Sequence, residues 1–178
     1  MIDKAIRASR LDIPVYNEVE RDLNETTNAL IIVIVVAIAS GIGALGQNVG
    51  IGGLIAGVLG SLIGWVARAF VIYLIGTRVY NATATTGEIL RTTGYASAPG
   101  ILNILGALPQ PLGGLITLVI SIWTIVTTFI ATREALDLDN TKTLITIILA
   151  FLVFFVIAVV IGTILGVGAA AIGVATGR

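Results

Sequence analysis

The sequence predicts an all-α fold, that of a polytopic helical membrane protein, on three observations. Of its 178 residues 57% are hydrophobic and 11% charged, where a soluble domain is about half apolar and about a quarter charged. The apolar residues fall in blocks, Leu30 to Leu45, Leu54 to Ile75, Leu112 to Ile130 and Leu144 to Leu165. Each approaches or exceeds the ~20 residues that carry a helix across a hydrocarbon core. Within those blocks the one charge is Arg68.

Composition also removes function classes. Cysteine and histidine are both absent, which excludes disulfides, thiolate metal sites and the commonest catalytic base and metal ligand. Net charge is zero with no basic run, so nucleic-acid binding has no electrostatic footing. No catalytic, metal-ligating or cofactor-binding residues are assigned, and the chain reads as non-enzymatic. The charged first 28 residues have no apolar h-region, so the amino terminus is expected to stay on the side of synthesis.

Residues 1–28 form an amino-terminal segment of two short surface helices, a solvated amphipathic collar. Ile2, Ala5 and Ile6 share one face and Lys4 and Arg7 another, a pattern suited to a bilayer surface. Asp12 is the expected cap of the second helix, with Pro14 in its first turn and Val15, Tyr16 and Val19 as an apolar patch. Asn24 to Thr27 caps the first span. Residues 29–178 form the transmembrane domain, with spans at about 29–46, 53–77, 96–111, 112–132 and 143–168. Thr85 followed by Glu88 is a capping box opening a short helix. Between the last two spans, the stretch from Arg133 to Lys142 reads as helix end, turn and helix cap around Asp137 and Asp139.

The third span is broken near Ser97–Pro99. Pro99 disfavours helix at Ala98, and Ser97 is placed to cap the helix that begins there. From there to Leu108 the chain covers ~18 Å as an α-helix, short of a ~30 Å core. Charge decides whether this segment crosses. With five spans, eight basic residues (Lys4, Arg7, Arg10, Arg21, Arg78, Arg91, Arg133 and Lys142) lie inside and Arg178 outside, against seven and two for four spans. The positive-inside rule favours five, with a cytoplasmic amino terminus and an external carboxyl terminus.

Within the spans, Gly53, Gly57, Gly60 and Gly64 in the second and Gly162 and Gly166 in the fifth are small-residue positions suited to helix packing, with a homo-oligomer interface as the rival use. Thr117, Ser121, Thr124 and Thr128 place hydroxyls on one face of the fourth. They make either a packing seam or the wall of a solute path. Arg68 either snorkels to the interface or pairs with Glu88 or Glu134.

The amphipathic start, the glycine-rich second span ending YLIGTRVY, the segment GEILRTTGYASAPGIL and the SIW span leading into ATREALDLDNTKTL together resemble the Yip-domain family. These are integral membrane proteins named for interacting with Ypt/Rab GTPases. The most specific parts are Gly94-Tyr95-Ala96 to Pro99 and Trp123 to Ala135, which include Arg133 and Glu134. The resemblance implies five membrane helices with a cytoplasmic amino terminus, and a small GTPase partner by family analogy. Eukaryotic relatives are tied to vesicle budding and often carry long cytoplasmic amino-terminal regions. About 28 residues precede the first span here, as in the compact prokaryotic form.

Two functions are compatible with these features. The first is a non-enzymatic scaffold or adaptor that organises the membrane through its cytoplasmic face, with the lipid bilayer, further copies of the chain and a cytoplasmic protein as partners. The second is a small-solute or lipid transporter using the broken third span, Arg68 and the hydroxyl stripe. Glu88, Arg91, Gly94, Tyr95 and Pro99 complete the residues singled out.

Overall fold

The computed structural model describes residues 1–44 and 51–176. Among the described residues the fold is helical throughout. In chain order the elements are α1 (Ile2–Ser9), α2 (Ile13–Arg21), α3 (Glu25–Gly43), α4 (Ile51–Tyr80), α5 (Thr86–Ala96), a 3₁₀ helix (Ala98–Ala107), α6 (Leu112–Leu136) and α7 (Asn140–Thr176). Four helices are long and apolar enough to cross a membrane: α3, α4, α6 and the Asn140–Ile157 part of α7. The predicted third span is a shorter apolar element, the ten-residue 3₁₀ helix.

The 3₁₀ geometry has a local cause. A pitch of three residues stacks side chains at i and i+3, and this run places Gly100, Asn103 and Gly106 in one row. That row lies on Val36, Ser40 and Gly43 of α3. A Cβ on Gly100 would come 2.7 Å from Val36 Cγ1, and one on Gly43 would come 2.0 Å from the Asn103 carbonyl oxygen. Asn103 Nδ2 donates to Ser40 Oγ at 3.2 Å. In an α-helix the three residues would fan out by about 120° over two turns. The rise of ~2.0 Å per residue stretches the segment to roughly 20 Å.

Ser97 does not cap this helix. Its hydroxyl turns back and donates to the Gly94 carbonyl at 2.6 Å, closing the end of α5. Two other expected caps are also replaced. The Asp12 carboxylate is drawn to Arg7 Nε at 2.6 Å. Asn24 offers no side-chain cap to α3, and Asp22 Oδ1 accepts from its backbone N–H at 3.0 Å. The capping box of α5 forms as read, with Glu88 N–H donating to Thr85 Oγ1 and Thr85 N–H to Glu88 Oε2.

The amino-terminal helices are not a solvated collar. Val15, Tyr16 and Val19 are fully buried, in one apolar cluster with Ala29, Trp65, Tyr95 and Ala131. The turn between α1 and α2 passes through Leu11 at φ +64°, where the Asp12 N–H reaches back to the Arg7 carbonyl at 3.1 Å, a reversal that a left-handed residue makes possible. A second cluster joins Ala69 and Ile72 of α4, Ile89 of α5, Ala135 and Leu136 of α6 and Ala150 of α7. Between α6 and α7, Asp137 takes the left-handed conformation at the helix end, and Asp139 Oδ1 accepts the Lys142 N–H at 2.9 Å.

Candidate functional site

Two polar sites stand out against this apolar background. The first ties α1 and α2 to the helix bundle. Glu25, at the start of α3, is buried, and both of its carboxylate oxygens are used. Lys4 Nζ lies 2.6 Å from Oε1, while Asn28 Nδ2 at 2.7 Å and the Tyr95 hydroxyl donate to Oε2. The hydrogen bond to Glu25 raises the Lys4 pKa, so the ammonium keeps its proton. Burial and then the bond to Glu25 push the Tyr95 phenol up, keeping it a donor.

The same site feeds donors to helix ends. The last carbonyls of a helix have no partner within it and carry the negative end of its dipole. Arg91 is 4% exposed. Its Nε lies 3.0 Å from both the Val19 and Glu20 carbonyls, its Nη2 donates to Glu20, and its Nη1 reaches Thr26 Oγ1 at 3.4 Å. A buried guanidinium thus closes α2 without a carboxylate. For α1 the donors are Tyr16, whose hydroxyl reaches the Ala8 carbonyl at 3.0 Å, and Trp123, whose Nε1 reaches Ser9 at 2.7 Å. On the outside Arg7 clamps Asp12 and both oxygens of Glu18, at 2.8 and 3.0 Å. Beneath this knot Gly94 lets α5 approach α3 and α4. A Cβ there would sit 2.7 Å from Ala29 Cβ and 3.2 Å from Trp65 Cζ2.

The second site is a cavity of about 590 Å³ between α4, α6 and α7, with the 3₁₀ helix at one end. Arg68, Asn103, Ser121, Thr124 and Thr128 line it, faced by Ile125, Ile147, Phe151 and Phe154. The Ser121 and Thr124 hydroxyls donate to carbonyls one turn back, at 2.8 and 2.9 Å. Arg68 makes no ion pair or hydrogen bond among the described residues, and its side chain is exposed to the cavity.

The structure sorts the residues singled out from sequence. Arg91, Gly94 and Tyr95 belong to the first site, with Pro99 just beyond them against α1. Arg68, Ser121, Thr124 and Thr128 meet in the cavity, whereas Thr117 bonds back to Gly113 at 2.9 Å outside it. Glu88 and Glu134 do not reach Arg68. Glu88 caps α5, and Glu134 pairs with Arg133 at 2.7 Å and accepts from Asn17 Nδ2 at 3.3 Å. A methyl group added at Gly57, Gly60 or Gly64 would meet no described atom within 4 Å, so no helix of the described chain packs on them. Gly53 is likewise on an exposed stretch of α4. The side-chain surroundings of Gly162 and Gly166 lie outside the described residues. Close helix approach falls instead to Gly43, Gly76, Gly94, Gly100 and Gly113. Sequence reasoning missed Glu25, Lys4 and Asn103 as site residues. The signal for Glu25 was a carboxylate one turn before an apolar block, a place where a buried partner is needed.

Among known families, the Yip1 domain matches residues 15–162, from α2 well into α7. Comparison with curated proteins and with solved structures gives no match. The matched stretch takes in the cavity and, of the first site, Glu25, Asn28, Arg91 and Tyr95 but not Lys4 or the rest of α1, so this integral membrane protein belongs to the Yip1-domain family.

Proposed function

We propose that the protein is a non-enzymatic membrane-organising scaffold, in a trafficking-like role, working through a cytoplasmic face built on α1 and α2. The observation that carries this reading is that α1 is both anchored and apolar on its outer side. Its inner residues Ala5 and Ala8 are buried, while Ile2 and Ile6 are 70% and 46% exposed. They border an apolar cleft of about 490 Å³ walled by Ile31, Val35, Ile101 and Leu102. Isoleucines beside Lys4, Arg7 and Arg10 suit a helix set shallowly into an anionic leaflet. Because Glu25, Tyr16 and Trp123 hold α1 in place, its insertion would wedge the leaflet at a fixed position relative to the spans.

The orientation with the amino terminus inside rests on the distribution of basic residues between the connections. A cytoplasmic protein partner, a small GTPase by family analogy, would meet the outer groove of Lys4, Ile13, Asn17, Glu18 and Arg21.

Deleting α1 and α2 is a poor test, because it would uncover a core built on Val15, Tyr16 and Val19. Replacing Ile2 and Ile6 together by aspartate removes side chains that are 70% and 46% exposed and leaves the buried Ala5 and Ala8 in place, at about 1.5–3 kcal/mol of burial per side chain when inserted. Reconstituted into anionic vesicles, the native chain is expected to narrow or tubulate them and the double variant to leave them spherical. Equal remodelling by both proteins refutes the reading.

A further inference from the structure

The cavity around Arg68 is a separate matter from the amino-terminal face, and its chemistry is specific. A cation in a membrane span is costly unless it is paired or reaches water. The candidate acidic partners are spoken for: Glu134 by Arg133 and Asn17, Glu88 by the cap of α5, and Glu25 by Lys4, Asn28 and Tyr95. The other basic side chains seen in ion pairs, Lys4, Arg7, Arg133 and Lys142, all lie outside the spans or at their ends. Arg10, Arg21 and Arg78 are without ion pairs among the described residues too, but they lie outside the spans or at the end of α4, whereas Arg68 lies well inside α4. It lines an open volume and makes no hydrogen bond or ion pair among the described residues.

The rest of the lining says what the missing acceptor looks like. Among the described residues no carboxylate lines the cavity, which leaves a cationic or proton-coupled solute without a counter-charge there. Thr128 adds a hydroxyl with no hydrogen bond to any described residue. Beside this polar strip on α6 stands Ile125, and α7 contributes Ile147, Phe151 and Phe154. Ile125 and Phe151 are 64% and 68% exposed, so the cavity opens through the apolar sides of α6 and α7. A volume of about 590 Å³ is within the ~300–1,000 Å³ of ordinary ligand sites. An anion on the polar side, joined to hydrocarbon on the apolar side and entering laterally, is an amphiphile.

We propose that this cavity binds one phospholipid of the surrounding bilayer, its phosphate on Arg68 and Thr128 and its acyl chains along Ile125, Phe151 and Phe154. Guanidinium is the side chain best matched to phosphate, through paired N–H donors. Bound this way, the lipid supplies the counter-ion that the protein does not. The cavity then acts as a fixed lipid seat.

Native mass spectrometry of the purified full-length chain, titrated with phosphatidylglycerol, tests this directly. The native protein is expected to retain one phosphatidylglycerol preferentially and to show no preference for diacylglycerol of the same chains. Arg68→Gln is expected to weaken retention about tenfold, the scale of a charge-assisted hydrogen bond, and Arg68→Lys to restore most of it. Inorganic phosphate at millimolar concentration is expected not to displace the lipid. Retention of diacylglycerol equal to that of phosphatidylglycerol by the native chain overturns the proposal whatever the variants do, as does equal phosphatidylglycerol retention by folded Arg68→Gln. Displacement by inorganic phosphate also overturns it, by assigning the seat to a free anion.

Discussion

At the scale of single residues, glycines show how little a shared residue type says about role. Gly94 is enclosed by Ala29 and Trp65, with no room for a methyl. A Cβ added at Gly60 of α4 would meet no described atom within 4 Å beyond its own helix backbone. Alanine at Gly94 must push α3 and the Trp65 indole aside, a cost of about 1–3 kcal/mol for overpacking. Alanine at Gly60 meets nothing and removes the conformational cost of glycine in a helix, a gain of about 0.4–1 kcal/mol. Thermal melts in detergent are therefore expected to move in opposite directions, down for Gly94→Ala and up for Gly60→Ala. A fall for both would mean that α4 is covered by something beyond the single chain. From sequence alone the neighbouring rows through Gly60 and Gly64 and through Gly53 and Gly57 are the more conspicuous, because spacing along one helix is visible there. The glycines that pack are scattered, each facing a particular neighbour on another element, and no one-dimensional pattern marks them.

At the scale of elements, the amino-terminal pair behaves as a docked unit with an acid-sensitive outer clasp. The hydrogen bonds from Arg7 hold the Glu18 carboxyl below the ordinary value of 4.5. A depressed carboxylate pKa contributes stability that is fully present above the unfolded value and is lost as pH falls through the folded one. The clasp is thus complete above pH 4.5 and opens below it. Trp123 reports this, because its indole bonds to the Ser9 carbonyl at the end of α1. In a Trp65→Phe background, its emission is expected to shift between neutral pH and the acid range, and Glu18→Gln to abolish the Arg7 part of that shift. An unchanged spectrum in acid would show that the inner anchors alone hold α1. The apolar faces of α1 and α2 were legible from periodicity. What lay hidden was that their polar ends are held by Tyr16, Arg91 and Trp123. Two of these three donors sit more than seventy positions from the carbonyls they serve, beyond the reach of local pattern.

At the scale of the whole molecule, four long apolar helices and one short 3₁₀ element leave the path of the chain to be fixed by where its turns emerge. The chain has no cysteine, so single cysteines report sidedness cleanly. Leu23, 76% exposed before α3, and Gln110, exposed between the 3₁₀ helix and α6, are the informative positions. If the 3₁₀ helix completes a crossing, an impermeant maleimide labels Leu23→Cys and Gln110→Cys from opposite sides of the membrane. Labelling of both from one side means that the segment turns back, and the five-span topology is lost. The number of hydrophobic blocks was plain in the composition. The 3₁₀ pitch was not, because it depends on a row in α3, Val36, Ser40 and Gly43, that reads as ordinary membrane helix until the two are placed together.

That pitch also bears on how this stretch tolerates change in length. Segments rich in glycine and proline between helices usually accept insertions and deletions. Here the loss of one residue between Pro99 and Leu102 would move every later side chain one place back along the row. Ile104 would then stand where Asn103 meets Ser40, and Ala107 where Gly106 lies beside Gly43. The turn into α6 would be drawn in by ~2 Å and rotated by about 120°. What looks like the most pliable stretch of the sequence is gauged to the residue, and its length is as constrained as its composition.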